Sequence, residues 1–99
     1  MSPVEILALC QDMTISRADF LRSLGQTAGD ARFVVAGPEI RHDGGERAWR
    51  IVLTPLADLV IGSIRLPRHR VEIHLAGYDQ AATRRFLERF ELYFRRGGG

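Results

Sequence analysis

The stretch from Asp79 to Phe94 constrains this chain more than any other. Ala82, Phe86, Leu87, Phe90, Tyr93 and Phe94 recur at three- and four-residue spacing, so a helix carries them all on one face. Arg84, Arg85, Glu88, Arg89, Glu91 and Arg95 fall on the opposite face, and Asp79 is placed to cap the helix N-terminus. A helix this apolar on one side must lie on something. In a chain of 99 residues, the size of one domain, the upstream sequence has to supply that surface.

Upstream, the pattern is mostly extended. Arg32 to Ala36 is rich in β-formers, is interrupted by Gly37-Pro38 as at a bulge or an edge strand, and resumes at Glu39-Ile40-Arg41. His42-Asp43-Gly44-Gly45 is a hairpin signal. A second strand over Arg47 to Thr54 sets Trp49, Ile51 and Leu53 on one face and Ala48, Arg50, Val52 and Thr54 on the other. Pro55 to Asp58 reads as a connection, and a third strand follows over Leu59 to Leu66. It is apolar on both faces, with Leu59 and Ile61 on one and Val60, Ile64 and Leu66 on the other. Pro67 to Arg70 reads as a turn. A fourth strand then alternates cleanly, Val71, Ile73 and Leu75 inward, Glu72 and His74 outward.

At the N-terminus, Ser2-Pro3-Val4-Glu5 has the form of a capping box, and Ile6, Leu9, Cys10 and Met13 follow at helical spacing, which predicts a short helix over residues 3–12. Met13 is an alternative start, which would make 1–12 an extension. Ser16 caps a second helix that Gly25 is placed to end. The expected architecture is α+β: a four-stranded antiparallel meander with an N-terminal helix, or two short ones, and a long C-terminal helix packed on one face. Residues 1–99 form a single domain, with 96–99 as a flexible tail.

Composition narrows the function classes. An apolar content of 45% fits a globular protein, and the lone Cys10 rules out an internal disulfide framework. No apolar run approaches the ~18–20 residues of a membrane helix, so a cytoplasmic location is expected. The formal charge is +2, and all of the Lys+Arg total of 14 is arginine. Arginine suits phosphate contacts, yet the chain also lacks asparagine. Lysine and asparagine share A-rich codons, so a GC-biased coding sequence of bacterial type explains both absences, whereas phosphate binding explains one.

Candidate sites follow from these placements. A sheet covered on one face should alternate apolar and polar residues. The second and third strands do not, and Val52, Val60 and Ile61 are left as an apolar face for self-association, most simply as a homodimer. Arg65, Arg68, His69 and Arg70 form a basic hairpin able to follow a phosphate backbone, but stacking aromatics are absent beside it and Glu39, Glu46, Asp58 and Glu72 dilute its field. Glu72 and His74 share a strand face, with His69 and His42 as neighbours. A zinc site needs three or four ligands, and Cys10 is expected to be buried and inert on its helix. No metal, cofactor or catalytic machinery is therefore expected, and no phosphate loop, dinucleotide fingerprint or nucleophile–histidine pair appears. A small binding or accessory domain is the expected role.

The chain ends Arg95-Arg96-Gly97-Gly98-Gly99. This tail resembles the C-termini of ubiquitin-like modifiers and sulfur-carrier proteins, in which an unbranched Gly-Gly end reaches into an activating enzyme. The resemblance implies a carrier role with Gly98 and Gly99 as its chemical handle. The resemblance stops there: the carrier fold opens with a β-hairpin and feeds its tail from a strand, and here the tail follows a helix.

Overall fold

The apolar stripe of the last helix does lie on a sheet. The computed structural model describes residues 4–29 and 32–97. Its elements are β1 (Glu5–Met13), α1 (Arg17–Ala28), β2 (Val34–Ala36), β3 (Glu39–Asp43), β4 (Ala48–Ile61), β5 (Ile64–Ala76) and α2 (Gln80–Gly97). The protein is α+β with an open antiparallel sheet, but the sheet has five strands, in the order β1-β5-β4-β3-β2, and not four.

The fifth strand is β1, where a helix over 3–12 was expected. It pairs with β5, and its register slips between Leu7 and Leu9. A bulge inserts one extra residue and so shifts the alternation by one. Ile6 and Leu9, opposite the inward Leu75 and Ile73, then stand three apart and mimic helical spacing. Cys10 falls opposite Glu72 on the other face and is exposed, not buried as expected.

Two other expectations change. The expected first strand is a hairpin of β2 and β3 that turns at Gly37-Pro38. The expected second, third and fourth strands are just two, β4 and β5, because neither Pro55 nor Pro67 breaks its strand. Proline cannot donate to a ladder and survives where one side of a strand is unpaired. β3 reaches along β4 only as far as Val52, and β1 along β5 only as far as His69. Each proline lies beyond the end of its outer neighbour: Pro55, opposite His69, has no strand on its β3 side, and Pro67 has none on its β1 side. The real turn is Gly62-Ser63, with Gly62 at φ 60, which suits a two-residue hairpin loop.

Both helices cover one face at the broad end of the sheet. Ser16 caps α1 by accepting from the Asp19 N–H at 3.1 Å, and the helix runs past Gly25 to end at Gly29. Asp79 caps α2, its Oδ1 accepting from the Ala82 N–H at 2.7 Å. Phe20 and Leu24 of α1 and Phe90 and Phe94 of α2 pack with Ile40, Ile51, Leu53, Val71, Ile73 and Leu75 of the sheet. Phe90 and Phe94 stack at 4.1 Å, and Phe20 lies 4.6 Å from Phe94. The β4–β5 hairpin continues beyond this core as an arm, residues 57–65 being exposed throughout, and gives the molecule extents of 50 × 24 × 21 Å.

Candidate functional site: the open face of the sheet and its arm

The face away from the helices has two chemically distinct ends. At the broad end it is ionic. Arg50 of β4 reaches across β5 to Glu5 of β1, Nη2 lying 2.7 Å from Oε1 and Nε 3.2 Å from Oε2, while its Nη1 meets Glu39 of β3 at 2.8 Å. Arg41 closes on the other oxygen of Glu39 at 2.9 Å. His74 stands between Glu5 and Glu72, at 3.7 and 3.8 Å. The hydrogen bonds from Arg50 hold the Glu5 carboxyl below the usual glutamate range, and those from Arg41 and Arg50 do the same for Glu39. Reciprocally, the bond to Glu5 raises the Arg50 guanidinium. An arginine already donating to two carboxylates through Nε and both terminal nitrogens has only two N–H groups left, and its charge is already matched, which makes it a poor phosphate ligand.

Further along the face, Asp12 of β1 takes the Nε–H of Arg70 at 3.0 Å and lies 3.8 Å from Arg68. The expected basic hairpin is thereby divided. Arg68 and Arg70 share one carboxylate on the open face, and Asp12 raises the Arg70 guanidinium. His69 points to the helix side, its Nδ1 2.9 Å from the Ile15 carbonyl. Arg65 also lies on that side, opposite Val60. The four residues stand along a strand, not around a turn, and no continuous basic surface results.

At the narrow end the face is aliphatic. The ladder pairs Leu59 with Leu66 and Ile61 with Ile64, and directly opposed residues share a face. β5 alternates without interruption, so Ile64 and Leu66 lie on the same face as Glu72 and His74. The expected division of this segment is corrected accordingly: Ile64 and Leu66 join Leu59 and Ile61, and Val60 alone takes the reverse. The cause is a second bulge, between Leu56 and Leu59, that flips the outer part of β4. Of the residues expected to form a self-association face, Val52 and Ile61 do share the open face, and Val60 does not. Ile61 and Ile64 are 58% and 57% exposed.

Among the described residues no cluster of His, Cys, Asp or Glu is arranged to hold a metal ion, and no helix is long and apolar enough to cross a membrane. Gly98 and Gly99 lie outside the described residues. The Glu5–Arg50–Glu39 link escaped sequence reasoning because Glu5 was assigned to a helix. The one local signal was Glu39 and Arg41, two apart on a strand. The chain matches no protein-family model, no curated protein and no solved structure.

Proposed function

We propose that this chain is a small binding or accessory domain that works by association rather than by chemistry, and that its first partner is a second copy of itself, docked through the arm and the open face of the sheet. The observation that carries this reading is the arm. Its open face presents Leu59, Ile61, Ile64 and Leu66 side by side, and residues 57–65 are exposed throughout. Water-facing aliphatic side chains concentrated on a projecting hairpin mark an interaction surface.

A second copy is the occupant that fits. The aliphatic residues lie as cross-strand pairs, so two arms related by a twofold axis can meet face to face with like surfaces. The ionic end does not oppose this. Arg41, Arg50, Arg68 and Arg70 are matched by Glu5, Glu39, Glu72 and Asp12, so an identical face carries little net charge to repel it. A strongly charged partner would have to break those pairs first.

Sedimentation equilibrium over a wide concentration range tests the reading. A reversible dimer is expected for the natural chain. The double substitution Ile61→Asp, Ile64→Asp should give a monomer whose helical circular dichroism is unchanged, because both positions lie outside the core. A natural chain that stays monomeric at every concentration refutes the proposal.

A further inference from the structure

Trp49 lies at the opposite end of β4 from the arm, and the chain gathers other rings around it. Phe33 and His42 stand 5.9 and 5.6 Å away, Phe86 of α2 stands 6.3 Å away, and Tyr78 meets Phe86 edge-on at 5.8 Å. A concavity of about 610 Å³ opens between His42, Trp49, Tyr78 and Phe86, with Gly29 and Arg89 on its rim. That volume falls in the range of small-molecule sites, ~300–1,000 Å³.

The charge on this wall is cationic, with no carboxylate seen to pair with it among the described residues. Arg89 is anchored by its Nε, which donates to the Thr27 carbonyl at 2.6 Å, and its guanidinium lies over the Tyr93 ring at 5.7 Å. The bond fixes the guanidinium beside Gly29 and leaves its terminal nitrogens without a carboxylate among the described residues. Arg47 lies over the Tyr78 ring at 5.3 Å and is likewise without an ion-pair partner there. An adjoining depression shares Tyr78, Phe86 and Arg89 and adds Arg47 and Arg85 against the single carboxylate of Glu88. This contrasts with the open face, where every arginine just described is matched by an acid.

Two further polar groups belong to residues that line the concavity. Neither the indole N–H of Trp49, a residue only 4% exposed, nor the hydroxyl of Tyr78 meets a hydrogen-bond partner among the described residues. Burial pushes the Tyr78 phenol up, so it stays protonated and able to donate. Aromatic rings, donors and guanidinium groups that meet no carboxylate among the described residues suit one chemical class, a flat ring bearing an anion. A cationic ligand would find the rings but would be repelled by the arginines.

We propose that this concavity is a binding site for a planar aromatic carboxylate, whose ring packs against Trp49, Phe86 and Tyr78 and whose carboxylate pairs with Arg89, assisted by Arg47. The site is on the far side of the molecule from the arm and does not depend on self-association.

Trp49 is the chain's one tryptophan, so a single indole N–H signal reports on the site in a proton–nitrogen correlation spectrum. Titration with 2-naphthoate should move that signal saturably. The neutral analogue 2-naphthamide should bind at least about tenfold more weakly, the expected scale for losing one charge-assisted hydrogen bond. Arg89→Gln should weaken 2-naphthoate by a similar factor and leave 2-naphthamide unchanged. Arg47→Gln, which keeps the Thr27 anchor, makes the same comparison if the first variant fails to fold. Equal affinity for the acid and the amide, or no saturable shift, overturns the proposal.

Discussion

Arg50 holds Glu5 in a two-point ion pair at 2.7 and 3.2 Å, joining strands β4 and β1 across the intervening β5 and 45 residues of sequence. The same guanidinium holds Glu39 of β3. One side chain thus ties together three of the five strands, β1, β3 and β4, and spans β5, at the level where the edge strand β1 begins.

The first prediction concerns pH. Both glutamates titrate lower in the folded chain than in the unfolded one. Their contribution is therefore complete above the ordinary glutamate value of about 4.5 and disappears as pH falls through the lowered folded values. Arg50→Gln should cost about 0.5–1 kcal/mol at pH 7, the scale of a well-formed surface pair. The gap between the two chains should close as pH drops below about 4.5. Urea denaturation of both proteins at neutral and acidic pH checks this. A gap that is the same at both values would mean that the pairing adds no stability.

The second prediction concerns the core. Phe90 is 3% exposed, stacks on Phe94 and stands 6.3 Å from Phe20, so it links α2 to α1. Phe90→Ala should lose ~3–5 kcal/mol, the range for aromatic truncation in a core. Arg84→Ala, on the exposed face of α2, should change stability by less than ~0.5 kcal/mol. Chemical denaturation of both variants gives the comparison directly.

How much of this was legible in the sequence follows from where local and nonlocal forces act. α2 and its cap could be read directly, because helical spacing and an Asp cap are local signals. The alternation of Val71, Ile73 and Leu75 is local too. β1 was misread because its bulge at Leu7–Leu9 converts a strand's period into a helix-like one. The arm was misread because Pro55 and Pro67 look like turn residues until one knows that β3 and β1 stop short of them, a matter of strand register. Arg50 could be placed on the outward face, but Glu5 and Glu39 could not be brought to it without the sheet order. The ring cluster at Trp49 draws on α2, β3, β4 and two loops, so no window of sequence contains it.

The third prediction separates two costs at glycine. Gly62 and Gly77 both have positive φ, 60 and 78. A Cβ at Gly62 would meet nothing within 4 Å, whereas one at Gly77 would run into the Glu46 carbonyl oxygen. Gly62→Ala should therefore cost about 1–2 kcal/mol, from left-handed backbone strain alone. Gly77→Ala adds a clash of main chain against main chain and should be clearly more destabilising. Thermal melts of the two variants that coincide would show that the Glu46 loop moves aside freely.

The last prediction uses Cys10 to map the proposed interface. The thiol is exposed on the open face, opposite Glu72 in the ladder, so it should react with a disulfide reagent without any denaturant. A dimer built on the open face as well as the arm would cover it. Its reaction rate in the natural chain should then fall as protein concentration rises through the dimerisation range. The Ile61→Asp, Ile64→Asp variant should react at the fast, dilute rate at every concentration. Because neither substitution touches β1, any change in rate reports on association and not on the local environment of the thiol. A natural chain that sediments as a dimer yet reacts at one constant rate would place the contact on the arm alone, with the ionic end of the sheet left open to solvent.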